Sequence, residues 1–116
     1  MHKNTAIFST GFAKKQELVD ELLKIATVYC ISSTEQLLAK VMESQIDVVL
    51  IEITYKTTRR IELFSKIKTI QPNIKMLLLN GLEDRDLIAN AIAGGACDVF
   101  HQPYRIDLIV ERIRNL

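Results

Sequence analysis

Hydrophobic and polar positions along the 116 residues switch repeatedly between two periods. Thr5–Ser9 (TAIFS) is a short run of strand formers closed by Gly11. From Lys14 to Ala26 the apolar residues Leu18, Val19, Leu22, Leu23 and Ala26 recur at i, i+1, i+4, i+5 and i+8, which predicts an amphipathic helix. Thr27–Ser32 (TVYCIS) predicts a second strand. Ser32 and Ser33 each precede Glu35 or Gln36 by three residues, a capping-box opening for a helix with Leu37, Leu38, Val41 and Met42 inward. Asp47–Ile53 (DVVLIEI) is near-continuously apolar, as in a strand buried on both sides, and Glu52 interrupts it.

The alternation continues after the polar stretch TYKTTRR. Ile61, Phe64, Ile67, Lys68 and Ile70 predict a third helix that stops before Pro72, and Lys75–Asn80 (KMLLLN) a fourth strand. Glu83–Ala93 is a predicted helix with Leu87, Ile88, Ala91 and Ile92 inward, and Gly94-Gly95 suits its left-handed C-terminal cap. Asp98–His101 is a fifth strand and Arg105–Asn115 a fifth helix. Successive β-α units without repeats predict one α/β domain over residues 1–116, a doubly wound parallel sheet with helices on both faces.

Composition narrows the function. Fifteen Lys+Arg against fourteen Asp+Glu leave a charge of +1, which lacks the electrostatic footprint of a nucleic-acid binder. No apolar run approaches the ~20 residues of a membrane helix, and Met1-His2-Lys3-Asn4 opens no signal peptide. Cys30 and Cys97 lack CxxC spacing and a nearby His, so neither a zinc site nor a disulfide framework is expected. The expectation is a soluble, reduced, cytoplasmic domain with no cofactor or metal and no direct contact with nucleic acid or membrane.

Doubly wound sheets carry their sites in loops beyond the carboxyl ends of the strands, here Ser9–Phe12, Glu52–Arg60, Asn80–Asp84 and His101–Tyr104. Gly11 stands alone, so no glycine-lined phosphate loop is present. Ser9 and Thr10 have no neighbouring His to activate them, and His2 and His101 read as a terminal and a loop residue. Lys56, Arg59 and Arg60 read first as a solvated loop and second as a phosphate-binding patch.

The order of elements, with DVVLIEI, PNIKMLLLNG and above all GGACDVFHQPY, resembles the receiver domain of bacterial two-component response regulators, the CheY-like fold. The resemblance covers essentially the whole chain and implies a flavodoxin-like sheet of order 2-1-3-4-5. In working receivers an acidic pair after the first strand and an Asp ending the third bind Mg²⁺, and that Asp accepts a phosphoryl group. A Thr or Ser ending the fourth strand and a Lys before the proline hold the phosphoryl oxygens, so metal and lysine offset crowded negative charge.

This sequence departs from the pattern at each of those positions. Ser9 and Thr10 replace the acidic pair, Glu52 stands at the phosphoacceptor position, Asn80 replaces the Thr/Ser and Gln102 the Lys. Val99 occupies the aromatic switch position of the fifth strand. A lone carboxylate binds Mg²⁺ weakly, and an extra methylene displaces the acceptor oxygen by on the order of 1 Å, enough to cost about a hundredfold in rate. The expected pocket is a hydrogen-bonded plug in which Ser9, Thr10, Asn80 and Gln102 donate to Glu52 and Arg59 or Arg60 adds positive charge. Glu52 is then either a standing mimic of the phosphorylated state or, the favoured reading, a polar remnant.

The resemblance further implies a cis Gln102–Pro103 bond and Cys30 and Cys97 on opposite sheet edges, too far apart to bridge. It implies a partner face on the fourth helix, fifth strand and fifth helix, often a homodimer contact. There Ile106, Ile109, Val110 and Ile113 point inward, leaving Val99, Tyr104 and Leu108, with Leu116 beside them, either as a modest exposed patch or as ordinary packing at a helix end. The reading is a pseudo-receiver, non-enzymatic and independent of phosphorylation. It acts on a protein partner (an output domain, a kinase or another regulator), either standing alone or preceding an output domain beyond residue 116. Two alternatives stay open: a receiver phosphorylated on Glu52, and a small-ligand domain of the same shape holding an anion or cofactor near Arg59 and Arg60.

Overall fold

The computed structural model describes residues 3–116; the expectation placed on His2 lies outside the described residues. The strands are β1 (Lys3–Phe8), β2 (Ala26–Ile31), β3 (Val48–Ile53), β4 (Lys75–Asn80) and β5 (Ala96–His101). Between and after them run α1 (Lys15–Leu22), α2 (Thr34–Glu43), α3 (Glu62–Ile70), α4 (Arg85–Ala93) and α5 (Ile106–Arg114), with a 3₁₀ turn at Thr58–Ile61 leading into α3. All pairings are parallel and the sheet order is β2-β1-β3-β4-β5, the doubly wound, flavodoxin-like topology expected.

The period of two along each strand divides the core. Ala6, Phe8, Val49, Ile51, Ile53, Met76 and Leu78 pack against Leu37 and Val41 of α2, Leu63, Phe64 and Ile67 of α3, and Leu87 and Ala91 of α4. The alternate residues Ile7, Val48, Leu50, Leu77 and Leu79 meet Leu18 and Leu22 of α1 and Ile106, Ile109, Val110 and Ile113 of α5. Every residue of β3 is buried, as its unbroken apolar run requires.

Several expected inward residues face out. Met42 is 70% exposed, Ile92 55% and Leu23 54%, because each follows an apolar neighbour and a helix rotates about 100° per residue. Ile70 lies at the open end of α3, and Leu63 is buried in that helix instead. Helix α1 stops at Leu22 and Ala26 already belongs to β2, so the long apolar run belongs to two elements. Helix α4 starts at Arg85, since the Asp84 side chain accepts from the N–H groups of Asp86 and Leu87. Gly95 (φ +122°) supplies the left-handed residue past α4, while Gly94 remains helical. The Gln102–Pro103 bond is cis, and Cys30 and Cys97 are exposed on the two edge strands. Among the described residues no helix is long and apolar enough to cross a membrane.

Candidate functional site

Strand alternation decides what surrounds Glu52. In β3 the carboxylate follows Val48 and Leu50 onto the α1/α5 side, and Ser9, next in step after Ile7 of β1, lies on that side too. Ser9 Oγ donates to Glu52 Oε1 at 3.0 Å and accepts from Gly11 N–H at 2.8 Å, which fixes the β1–α1 loop to the carboxylate. Glu52 is 1% exposed. Burial raises its pKa above the usual carboxylate range, against the lowering effects of the Ser9 hydrogen bond, the charges of Arg60 and Lys15, and the Thr10 backbone N–H.

Only part of the expected plug is present. Ser9 binds Glu52 through its side chain; the Thr10 side chain is exposed and contributes through its backbone. Asn80 is buried but does not reach Glu52. One step beyond Leu79 of β4, it turns toward the opposite face, where Nδ2 donates to His101 Nδ1 at 3.1 Å and Oδ1 accepts from Leu82 N–H at 3.0 Å. Gln102 has an exposed side chain, and its backbone N–H donates to Asn80 O at 3.3 Å. His101 serves this local lock on the loops.

Arg60, not Arg59, brings the positive charge, and it does so from the α2/α3 side. Its Nη1 donates to the Glu52 carbonyl oxygen at 2.9 Å, and its guanidinium lies 4.0 Å from the centre of the Phe8 ring. The loop that presents it is tightened by Thr57, whose Oγ1 accepts from Thr54 N–H at 2.8 Å and whose carbonyl accepts from Arg60 N–H at 3.0 Å. Lys15, in the first turn of α1, approaches from the other side and reaches Ser9 O at 3.5 Å. Sequence reasoning missed Lys15; the available signal was its place shortly after the Ser9–Phe12 loop, with Leu18 and Val19, not acids, at the i+3 and i+4 positions where a helical ion pair forms.

Tyr104 corrects a second expectation. It is 4% exposed, no part of a surface patch, because its ring packs edge-on against Phe12 at 4.9 Å and joins the α1/α5 core. Its hydroxyl is buried without a hydrogen-bonding partner and faces Glu52, and burial together with that carboxylate pushes its pKa well up. Val99 is half-buried against the α2–α4 core, Leu116 packs against the α1/α5 core, and Leu108 is 50% exposed as expected.

These residues do not fit the Mg²⁺ that the fold family implies. Among the described residues no three His, Cys, Asp or Glu side chains come together. The single carboxylate is already flanked by an ammonium and a guanidinium, whose charges oppose entry of a divalent cation.

No protein-family model matches the chain. It is 29% identical over 110 residues, 95% of its length, to the transcriptional regulatory protein LnrK of Bacillus subtilis (strain 168). The chain spans about half the length (49%) of that curated relative. In structure it is similar to a response regulator from Thermotoga maritima, with TM-score 0.87, 21% identity, and 99% of this chain and 97% of that one covered. It is likewise similar to a CheY-like response regulator receiver domain protein from Methanospirillum hungatei JF-1, with TM-score 0.88, 18% identity, and 99% and 93% covered. At these identities the structures establish a receiver-like fold.

Proposed function

We propose that the chain is a signalling module of the response-regulator type that works through protein contact without accepting a phosphoryl group, and is not an enzyme. The observation that supports this reading best is the state of Glu52: a carboxylate 1% exposed and bonded by Ser9, with no metal-holding cluster of His, Cys, Asp or Glu among the described residues. An attacking oxygen must reach its donor in line at about 3–3.5 Å, and a sealed carboxylate has no such approach. Glu52 is read as a polar remnant that ties the β1–α1 loop to the sheet. The replaced partners at Asn80 and Gln102 point elsewhere, so nothing couples the acid to the Val99 position in the manner of a phosphorylation switch.

The partner face retained from the resemblance is α4-β5-α5, on whose elements Ile92 and Leu108 are exposed and Val99 is half-buried, without Tyr104. An output domain, a kinase or another regulator is the class of partner this implies. The test is intact mass after incubation with Mg²⁺ and acetyl phosphate or phosphoramidate, with Glu52→Gln in parallel. The expected result is no adduct; a phosphoryl adduct lost in the Gln variant overturns the reading.

A further inference from the structure

The β3–α3 connection and the start of α2 line an open cleft of about 520 Å³ that the proposed function does not use. Lys56 from the loop, Arg59 and Arg60 from the 3₁₀ turn and Lys66 from α3 converge on it, with the hydroxyl-bearing Thr34 and Thr58 beside them. Glu62 is its one acidic lining residue. The ion pairs among the described residues all lie elsewhere, joining Lys24 to Glu21, Arg105 to Asp107, Arg112 to Asp98 and Arg114 to Glu111. Arg60 donates to Glu52 O and stacks on the Phe8 ring, and Lys56 Nζ lies 5.6 Å from the centre of the Tyr55 ring; Lys56, Arg59 and Lys66, on the loop, the 3₁₀ turn and α3, form none of these ion pairs.

We propose that this cleft binds a ligand carrying two or more adjacent phosphate groups. Converging like charges repel, and an anion that bridges them relieves that repulsion. A planar guanidinium fork, lysine point charges and hydroxyl donors together match the several oxygens of a phosphate chain better than one carboxylate. Lys56, Arg59, Arg60 and Lys66 against Glu62 leave the lining a formal charge of +3, more than the charge of about −1.5 to −2 on a monophosphate neutralises, and the cleft falls in the roughly 300–1,000 Å³ range of small-molecule sites. Over Glu62 and Lys66 the cleft meets a groove lined by Leu38, Met42 and Ile70, so an organic group attached to the phosphates has an apolar surface next to it. Inorganic polyphosphate and a nucleotide share the chemistry and are separated by the test.

The experiment is calorimetric titration of the full chain, without Mg²⁺, with tripolyphosphate, ATP, AMP and citrate. Expected are saturable binding of tripolyphosphate or ATP, AMP weaker by about tenfold per phosphate lost, and affinity falling as salt rises. A nucleotide source shows as ATP binding more tightly than tripolyphosphate, a polyphosphate source as the reverse or as equality. The double variant Arg59→Gln/Lys66→Gln loses about tenfold or more, while Lys24→Gln/Lys75→Gln binds as the parent does. If the first double variant melts early, Lys56→Gln alone carries the comparison. Citrate binding as tightly as ATP, no binding of either phosphate chain, or equal losses in both variant sets overturns the proposal. The cleft makes no use of the Glu52 carboxylate, so a phosphoryl adduct in the mass experiment leaves this result standing and the converse also holds.

Discussion

At the scale of a residue, Glu52 makes the sharpest prediction. Its folded-state pKa lies above the ordinary 4.5 because it is buried, so as pH rises past 4.5 the unfolded chain releases this proton before the folded chain does. Folding therefore loses stability across the window between the two pKa values. Glu52→Gln removes that loss: its melting temperature is expected above the parent's at neutral pH, with the difference closing below about pH 4.5. Ser9→Ala acts in the opposite sense, costing about 1–3 kcal/mol by leaving the carboxylate without its hydroxyl donor. In the Glu52→Gln background the same change costs less, and denaturant melts of the four proteins measure that coupling. The identity of Glu52 was legible in the sequence, as the one acid in an apolar run. Its company was legible only in part: strand parity places Ser9 with Glu52 and Asn80 on the opposite face, whereas Gln102 lies in the loop past β5, where no periodicity reports which way a side chain points. Tyr104 shows the same limit, since an aromatic just before a helix fits a surface or a core equally well until the helix is placed.

At the scale of an element, the alternation of periods located each strand and helix, and the misses fall at their ends. The run Leu18–Ala26 carries too many apolar residues for one stripe, which is why α1 stops early and Ala26 is buried in β2. Helix α4 shows what sets such an end. Asp84 accepts from two backbone N–H groups that have no partner within the helix, at 3.0 and 3.1 Å. Asp84→Ala is expected to cost about 1 kcal/mol, and Asp84→Asn much less, in denaturant melts. The serine pair before α2 divides its work in a way the sequence only half discloses. Ser33 Oγ accepts from Gln36 N–H, while the Gln36 side chain reaches back to Ser32 N–H instead of to the cap residue itself.

At the scale of the molecule, the two-sided core separates two regions with different chemistry at the carboxyl ends of the strands. On the α1/α5 side Glu52, Ser9, Lys15 and Tyr104 form a closed knot; on the α2/α3 side the cations around the 3₁₀ turn stay open. Arg60 touches both, holding the Glu52 backbone while lining the cleft. The sheet order carries a different consequence at its margins. Cys30 and Cys97 sit on the outermost strands, four interstrand steps of about 4.8 Å apart, well past the ~7 Å limit for joining their Cα atoms. Each molecule is thus a bifunctional monomer in the polymer chemist's sense, with one exposed thiol at either margin. Mild oxidation is expected to yield a ladder of dimers, trimers and longer chains on a non-reducing gel, and replacing either cysteine with serine to act as a chain terminator that stops growth at the dimer.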